Sequence, residues 1–209
     1  METLEQNKTQ EIKTIIKDSL ANATTYQEYR ALVSQLNAEG KSTGETQTEA
    51  LTNYTMLNDK RMKRLDKTIK IDADTTAKIG ALGKKVTWLV LTESWCGDAA
   101  QTMPVMQKFA DINPNIDFKV LERDQNLDLM NHFLTNGGMS IPKLIMVDSD
   151  TNEVLGDWGP RPSIATQMVK DYKNEHGKLT PEFKQDLQVW YNKDKGQNTV
   201  EDLVSLLLK

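Results

Sequence analysis

The chain has 209 residues, with 26 Lys and Arg against 30 Asp and Glu for a formal net charge of −4, a pI of about 5.3, and 38% hydrophobic and 27% charged residues. This balance belongs to a folded globular protein rather than a disordered chain. It argues against a general polyanion binder, which needs clustered surplus Lys and Arg, so nucleic acid is not an expected partner. The length suits one core carrying additions. No apolar run approaches the roughly 20 residues that span a bilayer, and the opening METLEQNKTQEIKT lacks the basic-then-apolar layout of a secretory signal, so no membrane association is expected. A cytoplasmic location is the expectation. A single cysteine, Cys96, agrees with a reducing compartment, and the Asn-x-Thr matches at Asn7, Asn22 and Asn53 read as chance.

In chain order, the first 80 residues carry helical rather than strand periodicity. Apolar positions fall at Ile12, Ile15, Ile16 and Leu20, then at Tyr29, Leu32, Val33 and Leu36. EGKSTGETQ interrupts them as a loop, after which Leu51, Tyr54, Leu57, Met62, Leu65 and Ile69 resume a helical pattern. KRMKRLDKTIK, residues 60–70, reads as part of that helix with a basic solvated face rather than as an anion site. Residues 1–83 are therefore expected to form an all-α extension.

The texture changes at residue 84. KKVTWLVLTES is a short continuous apolar run, the pattern of a strand buried on both faces. Ala99, Ala100, Met103, Met106, Phe109 and Ala110 then form one face of a helix that Pro104 should kink. IDFKVLE predicts the next strand, and DQNLDLMNHF a short helix capped by Asp124 or Asn126. NGGMS, residues 136–140, is too short for a phosphate loop and supplies flexibility before Pro142. KLIMVD and EVLGDW predict a hairpin, and RPSIATQMVKDYKNEH a helix with Pro162 near its first turn. In the tail, Phe183, Leu187 and Trp190 form one helical stripe, and Val200, Leu203 and Leu206 another. The fold class is α/β, with residues 84–176 as the α/β domain and 177–209 as a C-terminal helical addition.

A strand ending in Trp95-Cys96-Gly97, opening directly into a helix with proline eight residues past the cysteine, resembles the thioredoxin family, bacterial members in particular. DQN at 124–126 and Ile141-Pro142 before the hairpin extend the resemblance over residues 84 to about 176. It implies a thioredoxin-like fold, a central mixed β-sheet flanked by helices. It also implies a cis Ile141-Pro142 bond beside Cys96, with the Ile141 backbone free to pair with an extended substrate.

The departures from the family pattern are chemical. Ala99 replaces the second cysteine of CxxC, Val90 stands where a buried carboxylate assists thiol release, and Asp98 fills the usual proline position. The first-turn N–H groups of a helix lower a thiol's pKa, whereas a carboxylate at Asp98 raises it. An exposed or half-exposed reactive Cys96 is expected, with Trp95, Gly97, Asp98, Ile141 and Pro142 forming its groove. Monothiol exchange with a protein disulfide or a low-molecular-weight thiol such as glutathione follows, since a mixed disulfide needs an external thiol to resolve it. The alternative is a redox-inactive binding module holding a partner peptide beside Pro142. Arg161 in WGPRP is read as solvated. His132 and His176 lack ligand neighbours, so neither a metal nor a cofactor is expected.

Overall fold

The computed structural model describes residues 2–208, with side chains from Gln6 onward. Four helices lead the chain: α1 (Glu2–Ala21), α2 (Tyr26–Glu39), α3 (Glu49–Thr68) and α4 (Ala73–Gly80). Polar side chains start three of them. Thr25 and Glu28 form a reciprocal capping box on α2, while Thr48 and Asp72 accept first-turn N–H groups of α3 and α4. The two-residue strand β1 (Thr24–Thr25) lies between α1 and α2, where the sequence predicts helix alone.

The sheet then forms from β2 (Val86–Thr92), β3 (Ile116–Glu122), β4 (Lys143–Asp148) and β5 (Val154–Trp158), in the order β1-β3-β2-β4-β5. β2 pairs parallel with β3, putting Trp88 opposite Phe118, and antiparallel with β4, putting Val90 opposite Leu144. All seven residues of β2 are buried, as its unbroken apolar run requires. β1 closes the far edge by pairing Thr24 with Val120 and Thr25 with Lys119. The N-terminal segment thus covers an edge that would otherwise expose unpaired amides.

Helix α5 (Gly97–Ile112) follows β2 and continues through Pro104. The short α6 (Leu127–His132) follows a 3₁₀ turn at Arg123–Gln125. Neither expected cap forms there: Asn126 makes no cap bond to α6, and its side-chain amide donates to the Glu122 carbonyl instead. NGGMS is a closed turn rather than a flexible one, with Thr135 and Gly138 exchanging backbone hydrogen bonds of 2.9 and 3.0 Å around Asn136 and Gly137, both at positive φ.

Three helices complete the chain: α7 (Ser163–His176), α8 (Pro181–Asp194) and α9 (Gln197–Leu207). One apolar core runs from Ile16 on α1 through the sheet and α5 to Val200, Leu203, Leu206 and Leu207 on α9. α7 and α8 share a second, smaller cluster of Ala165, Val169, Phe183, Leu187 and Tyr191. The α8 stripe therefore closes on buried Tyr191, one residue beyond Trp190, which is only half-buried. Among the described residues no helix is long and apolar enough to cross a membrane.

Candidate functional site

Cys96 is the N-cap of α5, placed there by the turn that ends β2. The expected exposure is not found: Cys96 is 7% exposed. Its Sγ accepts the Ala99 N–H at 3.4 Å and its S–H donates to the Ile141 carbonyl at 3.3 Å. The Ile141-Pro142 bond is cis, and of the Ile141 backbone expected to pair with a substrate, the carbonyl accepts the Cys96 S–H. Burial first, and the Asp98 carboxylate second, push the Cys96 thiol up to about 12, against the pull of the Ala99 and Asp98 amides and of Arg161. The helix field opposes this shift without reversing it.

Asp98 is buried one residue into the same helix. Its Oδ2 pairs with Arg161 Nη2 at 2.7 Å and its Oδ1 accepts the Tyr191 hydroxyl at 3.0 Å. Burial raises the Asp98 pKa, and Arg161 pulls it back. The expectation of a solvated Arg161 is thus overturned, because the WGPRP turn folds onto the active helix. Gly159 makes that approach possible: at φ +119, a Cβ built on it would lie 2.2 Å from the Pro142 carbonyl oxygen. Pro142, expected in the groove, is buried and is not among the residues lining the cleft; its carbonyl meets this turn.

Trp95, Cys96, Gly97, Asp98 and Ile141 line one cleft of about 440 Å³. The Trp95 ring sits at the rim with the Arg123 guanidinium 5.2 Å from its centroid. The opposite walls come from outside the α/β unit: Leu51, Tyr54 and Arg61 from α3, and Lys184, Leu187 and Gln188 from α8. Gln101 on α5 donates to Gln188 at 2.9 Å, and Arg64 on α3 donates to Asn192 at 2.7 Å, so α8 is bound to both neighbours. The helices that the sequence assigns to additions supply these walls of the cleft.

A buried polar clamp fixes the loop that carries Cys96. The Ser94 N–H donates to Thr43 Oγ1 at 2.8 Å and the Thr43 N–H donates to Ser94 Oγ at 2.9 Å. Thr55 reaches the Ser94 hydroxyl at 2.8 Å, and the Asn58 amide donates to the Ser94 carbonyl at 2.8 Å. Thr55 and Asn58 are fully buried, so losing any partner would strand a polar group at about 1–3 kcal/mol. EGKSTGETQ, read from sequence as a plain loop, supplies this clamp. Arg61, expected on a basic solvated face, is instead partly buried and donates to Asn58, and the sequence singles out neither Asn58 nor Tyr191. The one signal for Tyr191 was its spacing, four residues beyond Leu187 on the buried stripe. Among the described residues no cluster of His, Cys, Asp and Glu is arranged to hold a metal ion.

A parallel β2–β3 pair continued by antiparallel β4 and β5, with a cysteine capping the helix after β2 and a cis-proline facing it, defines a protein of thioredoxin-like fold. The family described as Thioredoxin matches residues 44–173, and the chain belongs to that family. The match takes in α3 and α4 as well as the sheet. No functionally curated protein matches. Among solved structures, a 1.5 Å crystal structure of a protein of unknown function from Pseudomonas aeruginosa is similar at 16% identity and a TM-score of 0.56, covering 88% of this chain and 97% of that one. An HIV epitope scaffold is similar at 17% identity and a TM-score of 0.53, covering 88% and 98%. At these identities the likeness concerns the fold alone.

Proposed function

We propose that this chain is a thioredoxin-fold binding protein that takes a ligand into the cleft above Cys96, with the thiol kept protonated rather than used as a nucleophile. The observation that carries this reading is the buried S–H donating to the Ile141 carbonyl beside a buried Asp98. Ionising Cys96 would break that bond and place two negative charges in one low-dielectric site. With no second cysteine and a pKa pushed to about 12, the thiolate fraction at neutral pH is on the order of 10⁻⁵. The enclosure of the cleft by α3 and α8 favours a small ligand over an extended peptide.

A second reading, monothiol exchange, is supported by the Ala99 N–H and Arg161, both of which stabilise a thiolate. In it the Cys96 thiolate attacks a protein disulfide or oxidised glutathione, forming a mixed disulfide and expelling one thiolate. A second external thiol then attacks the mixed disulfide, restores Cys96 and leaves with the other half as a new disulfide.

Iodoacetamide alkylation between pH 7 and 10.5, followed by intact mass, separates the two. The binding reading expects a rate at pH 7 roughly 10³-fold below that of a free cysteine, rising without a plateau through pH 10.5. A fast rate with a midpoint below about 8.5 would sink it and select monothiol exchange.

A further inference from the structure

The cleft above Cys96 carries an unbalanced charge. Arg61, Arg161 and Lys184 line it, and Asp98, committed to Arg161 and Tyr191, is the one carboxylate among its lining residues. No carboxylate among the described residues lies within salt-bridge distance of Arg61 or Lys184. Burial first and the neighbouring Arg64 second lower the Arg61 pKa, against a pull from Tyr54 and Asp98, so on balance its surroundings disfavour the cation.

The position of Arg61 is built rather than incidental. Its Nη1 donates to the Asn58 side-chain oxygen at 2.9 Å, and the other end of that fully buried amide donates to the Ser94 carbonyl in the Cys96 loop. One asparagine therefore fixes the guanidinium relative to the turn. A Cβ placed on Gly97 would lie 3.7 Å from Arg61 Nη1 and 3.6 Å from Gln188 Nε2. The guanidinium is thus held against the first turn of α5, the end of a 16-residue helix that carries partial positive charge. A cation docked on a like-signed helix end is unfavourable by itself and becomes favourable when an anion sits between the two. Arg161 adds an Nε–H that is buried without an acceptor. Away from these donors the walls are apolar: Leu51, Leu179, Leu187 and the Tyr54 ring.

We infer that this cleft binds a small organic carboxylate with an apolar body, the carboxylate lying between Arg61 and the Gly97 end of α5 and the body along Leu51, Tyr54 and Leu187. Lys184 at the mouth supplies the second positive charge that draws the anion in. The inference rests on the reading of the cleft as a non-covalent binding site and names the ligand chemistry for it. A volume of about 440 Å³ suits a molecule of this class.

The test uses the full chain labelled with ¹⁵N and follows the Gly97 amide and Trp95 indole signals during titration with octanoate and 4-phenylbutyrate, each beside its neutral primary amide. Both acids should move these signals saturably, with each amide at least about tenfold weaker, the fold-change expected for loss of a charge-assisted hydrogen bond. Arg61→Gln should weaken the acids by a similar factor and the amides by clearly less. Acid and amide binding alike, unchanged acid binding in Arg61→Gln, or no shift by either acid up to about 10 mM would each overturn the inference. The acid-to-amide comparison is made within one folded protein, so it stands even if a variant folds poorly. Failure of the binding reading would show separately, as rapid alkylation of Cys96 with a low midpoint.

Discussion

Raising the pH above about 8.5 should destabilise the native protein through Cys96. The folded thiol is pushed up to about 12 by burial and by Asp98, whereas in the unfolded chain it titrates near 8.5. Above about pH 8.5 the unfolded state releases the thiol proton while the native state keeps it, so the unfolded state binds fewer protons and stability falls. The loss approaches about 1.4 kcal/mol per pH unit above the unfolded pKa, amounts to about 2.7 kcal/mol between pH 7 and 10.5, and continues until the folded pKa is reached. Tyrosines and lysines also titrate in this range, so the measurement is a difference. Urea unfolding of the parent and of Cys96→Ser, under reducing conditions and followed by tryptophan fluorescence at four pH values from 7 to 10.5, cancels the shared titrations. Ser can still donate to the Ile141 carbonyl, and whatever constant offset the substitution introduces is independent of pH. The parent should lose stability relative to Cys96→Ser as pH rises. A difference flat to within about 0.5 kcal/mol would refute the account of a buried, protonated thiol.

Two further outcomes follow from buried geometry. Glu93 is fully buried, with one oxygen accepting the Asp124 N–H at 2.9 Å and the other unpartnered, and burial raises its pKa. Its stabilising contribution is complete below the unfolded carboxyl pKa of about 4.3 and is lost as pH rises through the folded value, so Glu93→Gln, which cannot ionise, should gain on the parent between pH 4 and 8. A gap in unfolding midpoint that is constant with pH would count against a buried titrating carboxyl. Gly159→Ala places a Cβ against the Pro142 carbonyl at a φ that side chains rarely adopt, and should cost on the order of 3 kcal/mol or more in chemical denaturation. Parent-like stability would mean the WGPRP turn does not press on the cis-proline loop.

The parts of the molecule legible in the sequence are those governed by local periodicity. The unbroken VTWLVLT run can be satisfied only between two layers, and the WCG turn into an apolar helix face follows from the change of period at residue 93. The stripes of the tail show equally well that helices are present. Where they dock is a different question. Phe183, Leu187 and Val200, Leu203 look alike as apolar stripes, yet α9 enters the main core while α8 stays with α7 in a separate cluster across the mouth of the cleft. The two differ in what faces them, which no window of sequence contains. Tyr54 shows the same limit: it follows the helical pattern of α3 but is 45% exposed at the cleft wall.

The sequence by itself determined the strand and helix order from β2 onward, the position of Cys96 at a helix start and the absence of a resolving thiol, because each depends on residues within a few positions of one another. The tertiary structure alone decided the surroundings of that thiol. Its pKa is set by desolvation and by groups far apart in the chain: Ile141 holds its proton, Asp98 repels its thiolate, and Asp98 is itself held by Arg161 and Tyr191. The helix field that the local sequence supplies is present in the structure. It is outweighed because the sulfur is buried and the Asp98 carboxylate stands beside it.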